Sequence, residues 1–305
     1  MNIWFILLAI SLANINLSLA NNDEDEDSSE YGVVDGDVGT NCTCGFANKE
    51  GERIVGGVEA KRNEWPMIAE FAIDKSKHLC AGTVVTKRHI VTAAHCGFFP
   101  KSLKKLPYHR FTIYLGIHEV EGERAFADGQ ERTIDQFIAH PEYSPTQHRN
   151  DIAVILLNAD IEFTKNVGPA CLPLGNEKFD GEYLKVLGWG KPSGSSKKGT
   201  PALMKVNLKA IGHKLCKRIY RSYYEDSHIC AYERNKDSCG GDSGGPLLWR
   251  DPETNRYVLV AVTSFGGGSC KGPAVNSNVM WFLPWIQKTI AETDSRHRTC
   301  SKVSS

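Results

Sequence analysis

From Ile54 onward the chain alternates short apolar runs with turn-forming residues. The runs Gly82–Thr86, His89–Ala93, Arg110–Leu115, Ile152–Leu157, Tyr183–Leu187, Met204–Ile211 and Tyr257–Val262 are rich in β-branched, aliphatic and aromatic residues, a pattern that predicts strands. Only Leu283–Thr293 puts its apolar residues Leu283, Ile286 and Ile290 at helical spacing. Many short strands with one terminal helix predict an all-β barrel or sandwich. No internal repeat is visible, and the one low-complexity stretch, Lys191–Gly199, is expected to be a loop.

The N-terminal part is different. Ile3–Ala13 is an apolar run too short to span a bilayer, and Ser18-Leu19-Ala20 follows as a small-x-small cleavage site, so residues 1–20 are expected to be a signal peptide. No later segment has the apolar length of a membrane span, and the mature protein is expected to be secreted and extracellular, without a membrane partner. Residues 21–53 form an acidic leader with few apolar residues, expected to be solvated and without a core of its own. Residues 1–53 hold ten acidic and two basic groups, so the formally neutral chain leaves a body, 54–305, of net charge +8. Its basic residues are scattered and no nucleic-acid motif is present, so nucleic acid is not an expected partner.

Ten cysteines in an exported chain predict disulfides. Cys42 and Cys44 have no second close pair with which to complete a zinc site, so no metal and no cofactor is expected.

The strongest chemical signal is Gly241-Asp242-Ser243-Gly244-Gly245-Pro246, together with Thr92-Ala93-Ala94-His95-Cys96 and Asn150-Asp151-Ile152-Ala153. A serine hydroxyl is a poor nucleophile unless a base takes its proton, and the base needs a carboxylate to fix its tautomer. His95, Asp151 and Ser243 supply these groups, each at the end of a strand-like run. Their order differs from that of subtilisin and of the α/β-hydrolases.

With these motifs the stretch from Ile54 to about Thr293 resembles the chymotrypsin/trypsin family of serine proteases along its whole length. The resemblance implies two antiparallel six-stranded Greek-key β-barrels with a C-terminal α-helix, and an endopeptidase acting on proteins and peptides through an acyl-enzyme. It implies that His95 is general base, Asp151 its orienter and Ser243 the nucleophile, with the N–H groups of Gly241 and Ser243 as oxyanion hole. Retention of all three argues against a non-catalytic homologue acting as a binding module. Glu52-Arg53-Ile54-Val55-Gly56-Gly57 looks like the family's activation site. A cut after Arg53 by an activating protease would free the α-ammonium of Ile54 to pair with Asp242. Serpin or Kunitz-type inhibitors are the expected partners of the active form.

The resemblance also places Asp237 at the base of the specificity pocket beside Ser238, which implies cleavage after Arg or Lys. Ser264-Phe265-Gly266 resembles the segment that pairs with substrate backbone, and Gly266 keeps the entrance open. Pro273-Ala274 departs from the usual proline-glycine. The extra methyl is expected to narrow the pocket and favour Arg, whose planar fork can bind a carboxylate bidentately.

Family pairing implies Cys80–Cys96, Cys216–Cys230 and Cys239–Cys270. The other four cysteines allow three connectivities. Cys44 followed by Gly45 resembles the leader cysteine that cascade proteases link to the body, which implies Cys44–Cys171 and leaves Cys42 with Cys300. On that scheme the leader stays attached after activation. Asn41-Cys42-Thr43 is a glycosylation sequon. Ile117 stands where the family's calcium loop would have its first carboxylate, so no structural calcium is expected. Gly97–Arg110, with Lys101, Lys104, Lys105 and Arg110 beside Phe98 and Phe99, reads either as a variable solvated loop or as a lip that restricts substrates or binds acidic partners.

Overall fold

The computed structural model describes residues 34–48, 57–75, 77–121, 129–191, 196–220, 226–233, 242–266 and 272–303. After the short strand β1 (Val58–Glu59) come β2 (Ile68–Ile73), β3 (Lys77–Val84), β4 (His89–Thr92), β5 (Phe111–Leu115), β6 (Gln130–Ala139) and β7 (Ala153–Leu157). Strands β2 to β7 close into an antiparallel barrel in the order β2-β3-β4-β7-β6-β5. β5 (FTIYL) and β7 (AVILL) are buried at every position, and closure leaves this barrel no open edge to protect. β6 has a polar outer face and mostly half-buried or exposed positions, which is why its sequence carries no apolar run.

The second half contributes β8 (Tyr183–Gly188), β9 (Met204–Ile211), helix α1 (His213–Ile219), β10 (His228–Tyr232), β11 (Pro246–Asp251), β12 (Arg256–Gly266), β13 (Ala274–Asn278) and helix α2 (Val279–Thr293). Its strands are ordered β9-β10-β13-β12-β11-β8, and β8 pairs back onto β9, so these six also close on themselves, with β1 added on β9. The fold is thus the expected pair of six-stranded antiparallel barrels. Helix α2 begins four residues before the apolar spacing suggests, because the Asn278 side chain caps it by accepting from Met280 N. The short α1 was not expected; its Leu215 and Ile219 point outward, 46% and 47% exposed, so no buried apolar stripe announces it.

Trp189 is buried, and its indole N–H donates to the His118 carbonyl at 2.9 Å. A buried ion pair adds a second tie across the chain. Lys205 Nζ on β9 lies 2.7 Å from both oxygens of Glu64, which also accepts from Lys61 N.

The described part of the leader, residues 34–48, is packed onto the body, with Asn48 bonded to Asn63, Glu64 and Lys165 of the first half and the rest mainly against the second, contrary to the expectation of a solvated segment. Its backbone exchanges hydrogen bonds with Glu253, Thr254, Tyr257 and Ser301. Gly45 takes φ 72°, and a Cβ there would lie 2.7 Å from the Tyr257 carbonyl, so this contact requires glycine. The buried Arg256 guanidinium stacks 3.7 Å above the Phe46 ring and bonds Val34 O and Asp35. Disulfides Cys42–Cys300 and Cys44–Cys171 fasten the same segment covalently. The leader finds in the body the core it lacks alone.

Candidate active site

Antiparallel pairing of β4 with β7 sets Thr92 opposite Ala153. The residues just after β4 and just before β7 therefore emerge side by side. His95 lies on the 3-10 turn Ala94–Gly97 that follows β4, and Asp151 directly precedes β7. Asn150 turns the chain inward with φ 51°, a left-handed conformation that asparagine tolerates, and its amide donates to Glu142 O.

Asp151 is fully buried. Its Oδ1 accepts from His95 N at 2.8 Å and its Oδ2 from His95 Nδ1 at 2.7 Å. Ser264 Oγ donates to Oδ2 as well, and Ser277 Oγ donates to the Asp151 carbonyl at 2.7 Å. Burial pushes the carboxyl up, but the His95 charge and the bonds from His95 and Ser264 outweigh it and hold Asp151 below its usual range. Burial pulls His95 down, while the Asp151 charge and hydrogen bond more than compensate, so its imidazole is a stronger base than usual. Because Nδ1 donates to the carboxylate, Nε2 is left to accept a proton.

Ser243 is on the turn entering β11, in the second barrel. It is drawn against the first by Ala81 N, which donates to Ser243 O at 2.8 Å. Ala81 adjoins Cys80 on β3, and Cys80–Cys96 bridges that strand to the turn carrying His95. The glycines after Ser243 are needed for this approach. A Cβ on Gly244 (φ 77°) would stand 2.2 Å from Thr92 Oγ1 and 2.4 Å from Ala81 O. Gly244 N and Thr263 N close the turn onto the end of β12 with bonds to Thr263 O and Gly245 O.

Asp242 Oδ1 accepts from Gly190 N at 2.9 Å. Cβ atoms on Gly188 and Gly190 would lie 2.1 Å and 2.5 Å from its side chain, so Gly188-Trp189-Gly190 forms a slot for this carboxylate that the sequence reading missed. Gly266 and Ala274 pair across β12 and β13, and a Cβ on Gly266 would lie 4.0 Å from the Ala274 methyl. His148, also missed, sits 5.0 Å from the Phe265 ring. Burial holds it below its ordinary value against the opposing pull of Asp151. Its nearness to Phe265 could not be read from sequence because it depends on the loop before Asp151.

Arg53, Ile54, Asp237, Ser238, Cys239, Gly241 and Cys270 lie outside the described residues. Cys216–Cys230 joins α1 to β10, and Asn41 exchanges hydrogen bonds with Ser301. Two clusters of metal-ligand type occur among the described residues. In the first, Cys80 and Cys96 are already bridged to each other. In the second, the guanidinium groups of Arg88 and Arg296 join Asp160 to Asp294, and His297 lies against both carboxylates. Neither offers a vacant cation site.

Two closed antiparallel barrels, a buried aspartate–histidine couple at their junction and a glycine-flanked serine define a serine protease, and the chain belongs to the trypsin family. The family model described as Trypsin matches residues 54–286. The chain is 37% identical over 264 residues to a venom serine protease of Polistes dominula, covering 83% of this chain and 90% of that protein. It is 34% identical to venom serine protease 34 of Apis mellifera, covering 81% and 60% respectively. It is 31% identical to the CLIP domain-containing serine protease HP8 of Bombyx mori, covering 80% and 70%. The chain is accordingly a serine endopeptidase with protein substrates. No helix among the described residues is long and apolar enough to cross a membrane.

Proposed function

We propose that the chain is the zymogen of a secreted, extracellular serine endopeptidase that cleaves after Arg, and less readily after Lys. Residues 1–20 are its signal peptide, 21–53 its leader and 54–305 its protease domain. His95 Nε2 takes the proton of Ser243 Oγ as that oxygen attacks the scissile carbonyl. The same proton then passes to the leaving amine, giving the acyl-enzyme, and water repeats the sequence to free the carboxylate. Asp151 keeps His95 in the required tautomer and stabilises the imidazolium. The N–H groups of Gly241 and Ser243 receive the oxyanion as it forms. The observation that carries this reading is the buried Asp151, whose Oδ2 takes the proton side of His95 Nδ1 at 2.7 Å and leaves Nε2 basic.

Asp237 at the pocket base selects a cationic side chain, since a desolvated carboxylate left unpaired is costly. Ala274, buried and facing Gly266, tightens the slot toward the flat guanidinium. Cleavage between Arg53 and Ile54 activates the enzyme by supplying an α-ammonium for Asp242. The names of the venom relatives agree with an exported protease.

The test is to treat purified full-length chain, before and after cleavage at Arg53, with a fluorophosphonate probe and locate the label by mass spectrometry. Labelling of Ser243 only in the cut form, with hydrolysis of an Arg amide several-fold faster than its Lys match, is expected. Equal labelling of the uncut form would overturn the zymogen reading; equal Arg and Lys rates would remove the role of Ala274.

A further inference from the structure

The loop after the catalytic histidine is an ordered hairpin. Phe98 bridges Lys105, Phe99 N bonds Lys104 O, Ser102 N bonds Phe99 O and Leu106 N bonds Gly97 O. Its base is fixed from below. A Cβ on Gly97 would lie 2.4 Å from the Phe137 ring, Tyr108 stacks on Phe137 at 5.2 Å and donates to Gly97 O, and Phe98 packs on Tyr143 at 5.5 Å. Between this hairpin and β6 runs a groove of about 620 Å³ with Phe98, Tyr108 and Phe137 as its floor. Burial pushes the Tyr108 hydroxyl up to about 12, as an apolar setting requires.

The lip of the groove is unusual for a free surface. Leu103 is 62% exposed at its edge. Lys105 lines the groove beside it, while Lys101 and Lys104 belong to the same hairpin turn; none of the three has an ion-pair partner among the described residues, and Lys104 overhangs the Phe99 ring at 5.3 Å. An aromatic floor, an exposed aliphatic lip and unneutralised lysines together fit a ligand carrying carboxylates beside apolar side chains. Asp135 also lines the groove. It would repel a continuous polyanion such as nucleic acid but not a peptide whose acids fall only on the lysine side.

We propose that this groove is a docking site for an acidic, apolar-bearing segment of the protein substrate, engaged outside the catalytic cleft. The hairpin starts two residues after His95, so a segment held there is part of a chain already near the triad. Its ordered backbone lowers the entropy cost of docking. The site rests on the endopeptidase reading only for the identity of its ligand as substrate.

The test reads binding to the uncut full-length chain, so it does not depend on catalysis. The probe is a fluorescein-labelled decapeptide alternating Asp or Glu with Leu and Phe, lacking Arg and Lys, followed by anisotropy. Expected are saturable binding at low salt, at least tenfold weaker binding when the acids become Asn and Gln, and the same loss when Leu and Phe become Ser. Leu103→Ser and the double variant Lys104→Glu/Lys105→Glu should each weaken binding about tenfold with unchanged melting temperature. Both should hydrolyse a short Arg amide normally once activated, a readout that separates this site from the catalytic reading. The proposal is overturned if no binding occurs, if the Ser-substituted peptide binds equally well, or if both variants bind like wild type. It is also overturned if the chain elutes as a dimer that Leu103→Ser dissolves, since the occupant would then be a second copy.

Discussion

Ser264 and His95 donate to the same oxygen of Asp151, Oδ2, from opposite halves of the molecule. The carboxylate at the junction is thus positioned by both barrels, with Ser277 holding its backbone carbonyl from a third direction. Removing one buried hydrogen bond to a charged group costs about 1.5–3 kcal/mol. Ser264→Ala should therefore lower kcat/KM for a short Arg amide roughly tenfold to a hundredfold. The acid limb of its pH profile should move upward, because a less satisfied carboxylate holds the imidazolium more tightly. An unchanged limb in steady-state assays would mean that Ser264 does not act through the aspartate.

On the proposed mechanism the acid limb of wild-type activity follows from His95. Only its neutral form accepts the serine proton, and the Asp151 charge holds it above the ordinary 6.5. Activity should be full at alkaline pH and fall through a midpoint above 6.5 as the pH drops. Asp151→Asn removes the charge and favours the wrong tautomer, with an expected loss of about 10⁴-fold in kcat, the magnitude on record for this change in the family. A loss below tenfold in single-turnover assays would contradict the assigned role.

His89 links β4 to the end of α2. Its Nδ1 lies 2.7 Å from Thr86 Oγ1 and its Nε2 2.9 Å from Thr293 Oγ1. Burial, reinforced by nearby His297 and Arg88 against Asp294, lowers it from 6.5 to about 4. The folded state favours the neutral ring, so this stability is present above pH 6.5 and lost as the pH falls toward 4. About 3 kcal/mol should disappear across that window. Urea unfolding from pH 7 to 4 should show it, with a flatter profile in His89→Gln.

The Glu64–Lys205 pair is buried on both sides, at 1% and 4% exposure. Lys205→Met leaves an unpaired buried carboxylate and should cost about 3–5 kcal/mol of unfolding free energy. Glu64→Met combined with Lys205→Met should recover most of it. A single variant as stable as wild type in urea would show that the carboxylate takes up its proton or another donor.

Much of the site could be read in the chain because its local motifs demand particular residues. Gly244 and Gly245 follow the serine where Thr92 and Ala81 crowd the first and the Leu187 carbonyl crowds the second, and His95 and Asp151 adjoin apolar strands that give their positions away. Ser277, Gly188 and Gly190 were missed because each acts on a partner far along the sequence, and nothing in a local pattern records such a contact. Strand β6 was missed for a different reason. One face of QERTIDQFIA meets solvent, so it lacks the apolar run that marks β5 and β7. The leader misled in the opposite sense. Its composition describes a chain that cannot build a core, but Ala47 joins the core cluster built mainly from the first barrel and Cys44 that of the second.

The two bridges that fasten residues 42 and 44 to residues 300 and 171 set what the proposed activation would look like from outside. The proposed cut at Arg53 would fall between this clasp and the strand pairing that begins at Val58. Apart from the water added at the broken bond, nothing would enter or leave the molecule. On the proposed reading the nicked enzyme would diffuse and weigh as its precursor does, and no released fragment would record how much had been switched on.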